Sequence, residues 1–185
     1  MSKVYIFLAE GYEEIEALTV VDLLRRAEID IQMVSMIGKK KVTGAHGISV
    51  EADVLYEMIE VEEADMLVLP GGMPGTKNLM CHGDLVYKLK KFYSGGKPVA
   101  AICAAPMILG ENGMLEGRKA VCYPGFEEYL KGATIAEAEA VTDRNVITSR
   151  GLGTAIEFAA EIIKYLISAE KAQEIKDSVI YRMNQ

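Results

Sequence analysis

The chain has 185 residues, half of them hydrophobic and a quarter charged, with a formal net charge of −7. That size and balance suit one domain over residues 1–185 that buries its core without a staple, and the acidic surplus argues against nucleic-acid or anionic-membrane partners. Three cysteines with no CxxC spacing offer neither a disulfide framework nor a structural zinc site, which points to the reducing cytoplasm and to no metal.

Taken in chain order, Lys3 to Ala9 reads as a β-rich apolar strand, too short to serve as the apolar core of a signal peptide. Glu14 to Ala27 reads as a helix, with Ile15, Leu18, Val21 (or Asp22) and Leu24 as its apolar face. Asp30 to Met36 is the next strand, and Lys39-Lys40-Lys41 a solvated turn. Val42 to Glu51 reads as a hairpin punctuated by Gly44 and Gly47, with His46 at the turn. Met66 to Leu69 and Val99 to Ile102 are apolar at every position, as strands covered on both faces require. Between them Cys81-His82 reads as a polar loop and Asp84 to Tyr93 as an amphipathic helix. Cys122 is expected in a strand beside Tyr123. Ala138 to Thr142 and Val146 to Ser149 read as a hairpin or as adjacent strands, and Gly153 to Ile167 as a further amphipathic helix. No apolar run is long enough to span a membrane. The alternation predicts an α/β doubly wound, mostly parallel sheet with helices on both faces. Ligands bind such a sheet at the carboxyl ends of its strands, so residues 10–16, 70–75 and 103–106 matter most.

The segment Ala100-Ala101-Ile102-Cys103-Ala104-Ala105-Pro106 ends an apolar strand at a cysteine and places proline where a helix begins. A cysteine on so sharp a turn stands exposed above the sheet, and a helix amino terminus lowers a thiol's pKa. The N–H of Ala104, with that of Gly71 or Gly72, suits an oxyanion hole. The plainer reading, a small buried hydrophobe in an alanine-rich turn, stays open on these residues alone. Gly11-Tyr12-Glu13-Glu14-Ile15-Glu16 opens the first helix, where carboxylates suit the helix dipole. If Glu16 turns under the loop to meet Cys103, its ionised form opposes the thiolate, and only its protonated form donates a hydrogen bond to sulfur. The stretch Pro70 to Gly75 lacks a nucleotide-binding pattern. Arg150 suits either a carboxylate anchor or a dimer brace.

Together "GYEEIE", "LVLPGG", "AAICAAP" and "TSRGLGTAIEFA", in this order from about Lys3 to about Leu166, resemble the ThiJ/PfpI superfamily in its parkinsonism-associated deglycase branch. The resemblance implies a flavodoxin-like fold, a homodimer and no cofactor. It assigns the reactive thiol to Cys103, its hydrogen-bonding carboxyl to Glu16, and the anion-pocket amides to Gly72 and Ala104. Three positions depart from the pattern. Ala104 stands where peptidase-like members have histidine, and Tyr123-Pro124 where the deglycase branch has His-Pro. His46 stands where an arginine reaches across the dimer. The implied activity is of the glyoxalase or deglycase type on small carbonyls such as methylglyoxal. The alternative is a redox sensor or stress-response chaperone, in which an oxidant acts on Cys103. A cysteine peptidase or amidotransferase ranks last, because no histidine adjoins the thiol.

Overall fold

The computed structural model describes residues 2–182, so Met1 and residues 183–185 of the expected domain lie outside the described residues. In chain order the strands are β1 (Lys3–Leu8), β2 (Asp30–Ser35), β3 (Lys41–Thr43), β4 (Ser49–Glu51), β5 (Val54–Leu55) and β6 (Met66–Leu69). They continue with β7 (Val99–Ile102), β8 (Lys119–Ala120), β9 (Thr134–Ile135), β10 (Ala140–Asp143) and β11 (Val146–Ser149). The helices are α1 (Glu14–Arg26), α2 (Gly75–Cys81), α3 (Gly83–Ser94), α4 (Pro106–Glu111), α5 (Ala155–Leu166) and α6 (Ala169–Ser178). Seven strands form the central sheet in the order β10-β11-β7-β6-β1-β2-β5. All its pairs are parallel except the β10–β11 hairpin. The antiparallel pair β3–β4 stands apart as the expected hairpin.

The strand residues divide between two cores, as period-two alternation demands. Val4, Ile6 and Leu8 of β1 pack with Val20 and Leu24 of α1, Phe158 and Ile162 of α5, and Ile175 of α6. Tyr5 and Phe7 pack on the opposite face with Leu79 of α2, Leu85 and Phe92 of α3, and Ile108 of α4. Both faces are therefore buried, which is why β6 and β7 contain no polar residue. The doubly wound sheet with helices on both faces is as expected.

Three local expectations are corrected. Ile15 is 47% exposed, and the buried stripe of α1 instead runs through Ala17, Val20, Val21 and Leu24, with Glu14 and Glu16 also buried. The helix turns this way because its first-turn carboxylates meet backbone amides: those of His46 and Ile48 on the hairpin, and that of Gly71. Cys81-His82 is a helix boundary rather than a loop. Cys81 closes α2, and His82 caps α3 by accepting the Leu85 N–H at 3.1 Å. Cys122 lies beyond β8 in irregular chain, not in a strand.

β1 has β2 on one side and β6 on the other, which sets the topological switch between β1 and β6. The loops after β1 and β6 are stitched together there, Glu13 N–H to Gly71 O at 2.9 Å and Gly75 N–H to Gly11 O at 3.0 Å. Cys103 follows β7, the next strand over.

Candidate active site

Cys103 has φ +65°, a left-handed conformation that costs a non-glycine residue about 1–2 kcal/mol. Its backbone is tied at both ends to hold it. The Cys103 N–H donates to Ser149 O at 2.9 Å, and its carbonyl accepts the Tyr123 N–H at 2.8 Å. Pro106 opens α4, as expected from its position. The result is a strand-to-helix elbow that carries the thiol above the sheet edge.

Glu16 reaches this thiol from α1 and is only 1% exposed. Its Oε2 accepts the Gly71 N–H at 3.0 Å, and its carboxyl faces the Cys103 thiol closely enough for each to shift the other's pKa. Gly71 makes the meeting possible, since a Cβ there would stand 2.5 Å from Glu16 Oε2 and 2.6 Å from Cys103 Cβ. Burial pushes the Glu16 carboxyl up to about 7, against the hydrogen bonds from Cys103 and the Gly71 amide. Burial also pushes the Cys103 thiol up to about 12, helped by the negative charge of Glu16. Desolvation and the facing carboxylate thus act against the lowering expected from a helix amino terminus, here the six-residue α4. What does favour charge on sulfur is local: the backbone amides of Gly72 and Ala104 both point at it. Gly72 has φ +89°, and its place against the Tyr12–Glu13 backbone leaves no room for a side chain.

A pocket of about 150 Å³ opens onto the sulfur, lined by Gly72, Met73, Cys103, Ala104, Tyr123 and Phe126. Its size suits a molecule of a few heavy atoms. The Tyr123 ring stands half-exposed at the mouth, edge-on to Phe126 with centroids 6.3 Å apart. Four of the sequence-derived residues, Cys103, Gly72, Ala104 and Tyr123, thus share one pocket, with Glu16 beneath it. Within one chain His46, expected to reach the pocket only from a dimer partner, lies apart from them. It is exposed on the β3–β4 hairpin, with Nδ1 2.9 Å from Glu14 Oε2 and 3.6 Å from Glu13 Oε1 of the same chain. That pair of carboxylates raises the imidazole's pKa. Cys122 is buried, its thiol pushed up to about 11, and it faces a separate cavity of about 530 Å³. Cys81 is exposed at the end of α2.

Sequence reasoning missed the other half of the Glu16 cradle. The Leu152 amide also faces the Glu16 carboxyl, and a Cβ on Gly151 would stand 3.8 Å from its Oε1. The signal was present in "TSRGLGT", which follows β11, the parallel neighbour of β7. The pocket walls Met73 and Phe126 carry no signal that distinguishes them from ordinary loop hydrophobes.

The profile of the DJ-1/PfpI family matches residues 2–165. Protein DJ-1 homolog B of Arabidopsis thaliana is 39% identical over 184 residues, 98% of this chain, and this chain spans only 42% of that protein's length. Protein dj-1beta of Drosophila melanogaster is 36% identical over 182 residues, 97% of each chain. A deglycase of Pyrococcus abyssi is 33% identical over 166 residues, 89% of this chain and 99% of that one. Among solved structures, the oxidized DJ-1 of Toxoplasma gondii superposes with a TM-score of 0.94 at 35% identity, covering 99% of this chain and 100% of that chain. With the elbow, the buried carboxyl and the seven-stranded sheet already in place, these likenesses establish that the chain belongs to the DJ-1/PfpI family.

Proposed function

We propose that this protein is a cofactor-independent, cysteine-dependent enzyme of the glyoxalase or deglycase type, acting on small reactive carbonyls such as methylglyoxal. The observation that carries the proposal is the Cys103–Glu16 pair, a thiol and a buried carboxyl that meet across Gly71, the carboxyl pushed up to about 7 by burial. A carboxyl poised there is populated both as acid and as base at neutral pH. The Cys103 sulfur adds to the aldehyde carbon, and the thiol's proton passes to the carbonyl oxygen, giving a hemithioacetal. Amides of Gly72 and Ala104 steady the oxygen charge as it develops. Ionised Glu16 takes the proton from the former aldehyde carbon and returns it to the neighbouring ketone carbon, while the hydroxyl proton of the hemithioacetal passes to the ketone oxygen. A thioester results, and water cleaves it to lactate and free thiol. The net reaction adds one water to methylglyoxal and needs no oxidant or reductant. Tyr123 orients the substrate through its phenol, which can donate a hydrogen bond to the bound carbonyl. The name of the Pyrococcus relative, a deglycase, supports carbonyl chemistry in the family.

A second reading makes Cys103 a redox sensor. The oxidized state of the Toxoplasma gondii relative supports it, as do two amides aimed at a sulfur that oxidation would turn into a sulfinate. A peptidase is disfavoured because the chain's two histidines are His46 on the hairpin and His82 at the start of α3, neither lining the thiol's pocket. Incubation of purified protein with methylglyoxal separates the readings. The enzyme yields lactate over many turnovers; a sensor yields at most one equivalent of thiol adduct.

A further inference from the structure

We propose that Arg150 anchors a carboxylate carried by the carbonyl substrate, so that the Cys103 site takes anionic carbonyl compounds; this rests on the carbonyl reading of Cys103 given above. The backbone fixes Arg150 beside the thiol. Ser149, the residue before it, pairs with Ile102 at the end of β7, and its carbonyl accepts the Cys103 N–H at 2.9 Å. Gly151, the residue after it, packs so that a Cβ would lie 3.3 Å from Tyr123 Cδ2 and 3.8 Å from Glu16 Oε1. The segment is also braced. The Arg150 N–H donates to Glu139 O at 3.2 Å, and Thr154 Oγ1 lies 2.7 Å from Ser149 Oγ and accepts the Gly151 N–H at 3.1 Å.

Arg150 lines two concavities of different charge. One, of about 330 Å³, is bounded by Tyr123, Pro124, Leu152 and Thr154, and among the described residues Arg150 is its only charged wall. Tyr123 is also a wall of the Cys103 pocket, so the two spaces adjoin. The other, of about 530 Å³, is lined by Arg150 together with Glu127, Glu137 and Glu139. Those carboxylates repel an anion, so the guanidinium favours one in the Tyr123 concavity, next to the Cys103 pocket. The guanidinium is available for this. Glu139 is taken by Arg182 at 2.6 Å, and no described residue forms an ion pair or side-chain hydrogen bond with Arg150. A planar guanidinium binds a carboxylate through two parallel N–H donors, which fixes orientation as well as charge. With the carboxylate so held, the Cys103 sulfur forms its bond to the aldehyde carbon. The carbonyl π pair moves to oxygen, oxygen takes the thiol's proton, and nothing is oxidised or reduced.

The test uses the full chain and two aldehydes of equal length, succinic semialdehyde with its carboxylate and butyraldehyde without one. Each is titrated for reversible protection of Cys103 against iodoacetamide, read by peptide mass spectrometry. The readout is the ratio of half-protecting concentrations, and a native half-protecting concentration for butyraldehyde shows that a variant's site is still folded. The native protein is expected to prefer the anionic aldehyde by about tenfold, the worth of one well-formed charge-assisted contact. Arg150→Ala should bring the ratio to about one, and Arg150→Lys should retain part of it. If both aldehydes protect without preference, or if Arg150→Ala keeps the native ratio, the anchor is overturned while the carbonyl reading stands. If neither aldehyde protects Cys103 in the native protein, the carbonyl reading fails and takes the anchor with it.

Discussion

Glu16 and Cys103 each hold a proton that burial makes costly to release, and each makes the other's release costlier. Once Glu16 is ionised, removing the thiol proton places two negative charges side by side. Glu16→Gln keeps a hydrogen-bond donor and removes that charge. The apparent pKa of Cys103, followed through the pH dependence of its alkylation, should fall below the native value of about 12. A pKa equal to or above the native one contradicts the pairing. The same carboxyl makes stability depend on pH. Its folded pKa, about 7, lies above the ordinary 4.5, so the folded state holds the proton more tightly than the unfolded state. At pH 4 both states are protonated and the group costs nothing. Stability is lost as pH rises from about 4.5 through about 7, reaching roughly 3 kcal/mol. In urea unfolding, Glu16→Gln should therefore gain on the native protein at pH 8 and match it at pH 4; a constant difference at both would contradict the assignment. At this scale the elbow at Cys103 was legible, because an apolar strand ends at the cysteine and proline opens the helix after it, while the thiol's role was left open by those residues alone. Glu16 was legible only as one of several carboxylates. Its partner amide, Gly71, is 55 residues away, and only the sheet order brings the two together.

The loop between β6 and α2 carries the site's tightest steric demand. Gly71 lies between Glu16 and Cys103 with no room for a methyl group. Gly71→Ala should lower stability by about 1–3 kcal/mol, the cost of overpacking a close-packed position, and should alter the alkylation rate of Cys103 in the folded protein. A thermal midpoint and alkylation rate like those of the native protein would show that the loop yields freely. The strands β6 and β7 could be read directly, since four apolar residues in a row on each admit only a strand covered on both faces. α2 could not, for it starts at Gly75 with no side-chain cap and runs for seven residues. α6 could not either, because its polar sequence buries only Ala172 and Ile175. The face of α1 was misjudged at Ile15 for a related reason. Periodicity ranks residues by hydrophobicity, and here two glutamates take the buried positions because backbone amides await them.

Across the whole molecule, the family resemblance implies a homodimer, and the exposed face beside α1 suits one. Ile15 and Ile48 are 47% and 54% exposed, on either side of Glu14, whose Oε1 accepts the Ile48 N–H. We expect light scattering to give twice the chain mass of 20.2 kDa, and Ile15→Asp with Ile48→Asp to give the single-chain mass without unfolding. A native protein that elutes as a monomer at micromolar concentration would remove the dimer from the account. The doubly wound architecture follows from alternating strand and helix patterns, but the position of the switch does not. It depends on β1 inserting between β2 and β6, a long-range pairing that local patterns leave open. That insertion brings residues 10–16, 70–75 and 103–106 to one edge, and the account stands on what they do there. The direct test is the initial rate of lactate formation from methylglyoxal at pH 7, measured for the native protein, Cys103→Ser and Cys122→Ser. The account predicts sustained turnover in the native protein, an undiminished rate in Cys122→Ser and none above buffer in Cys103→Ser. Equal rates in the native protein and Cys103→Ser, or no native turnover at all, would contradict it.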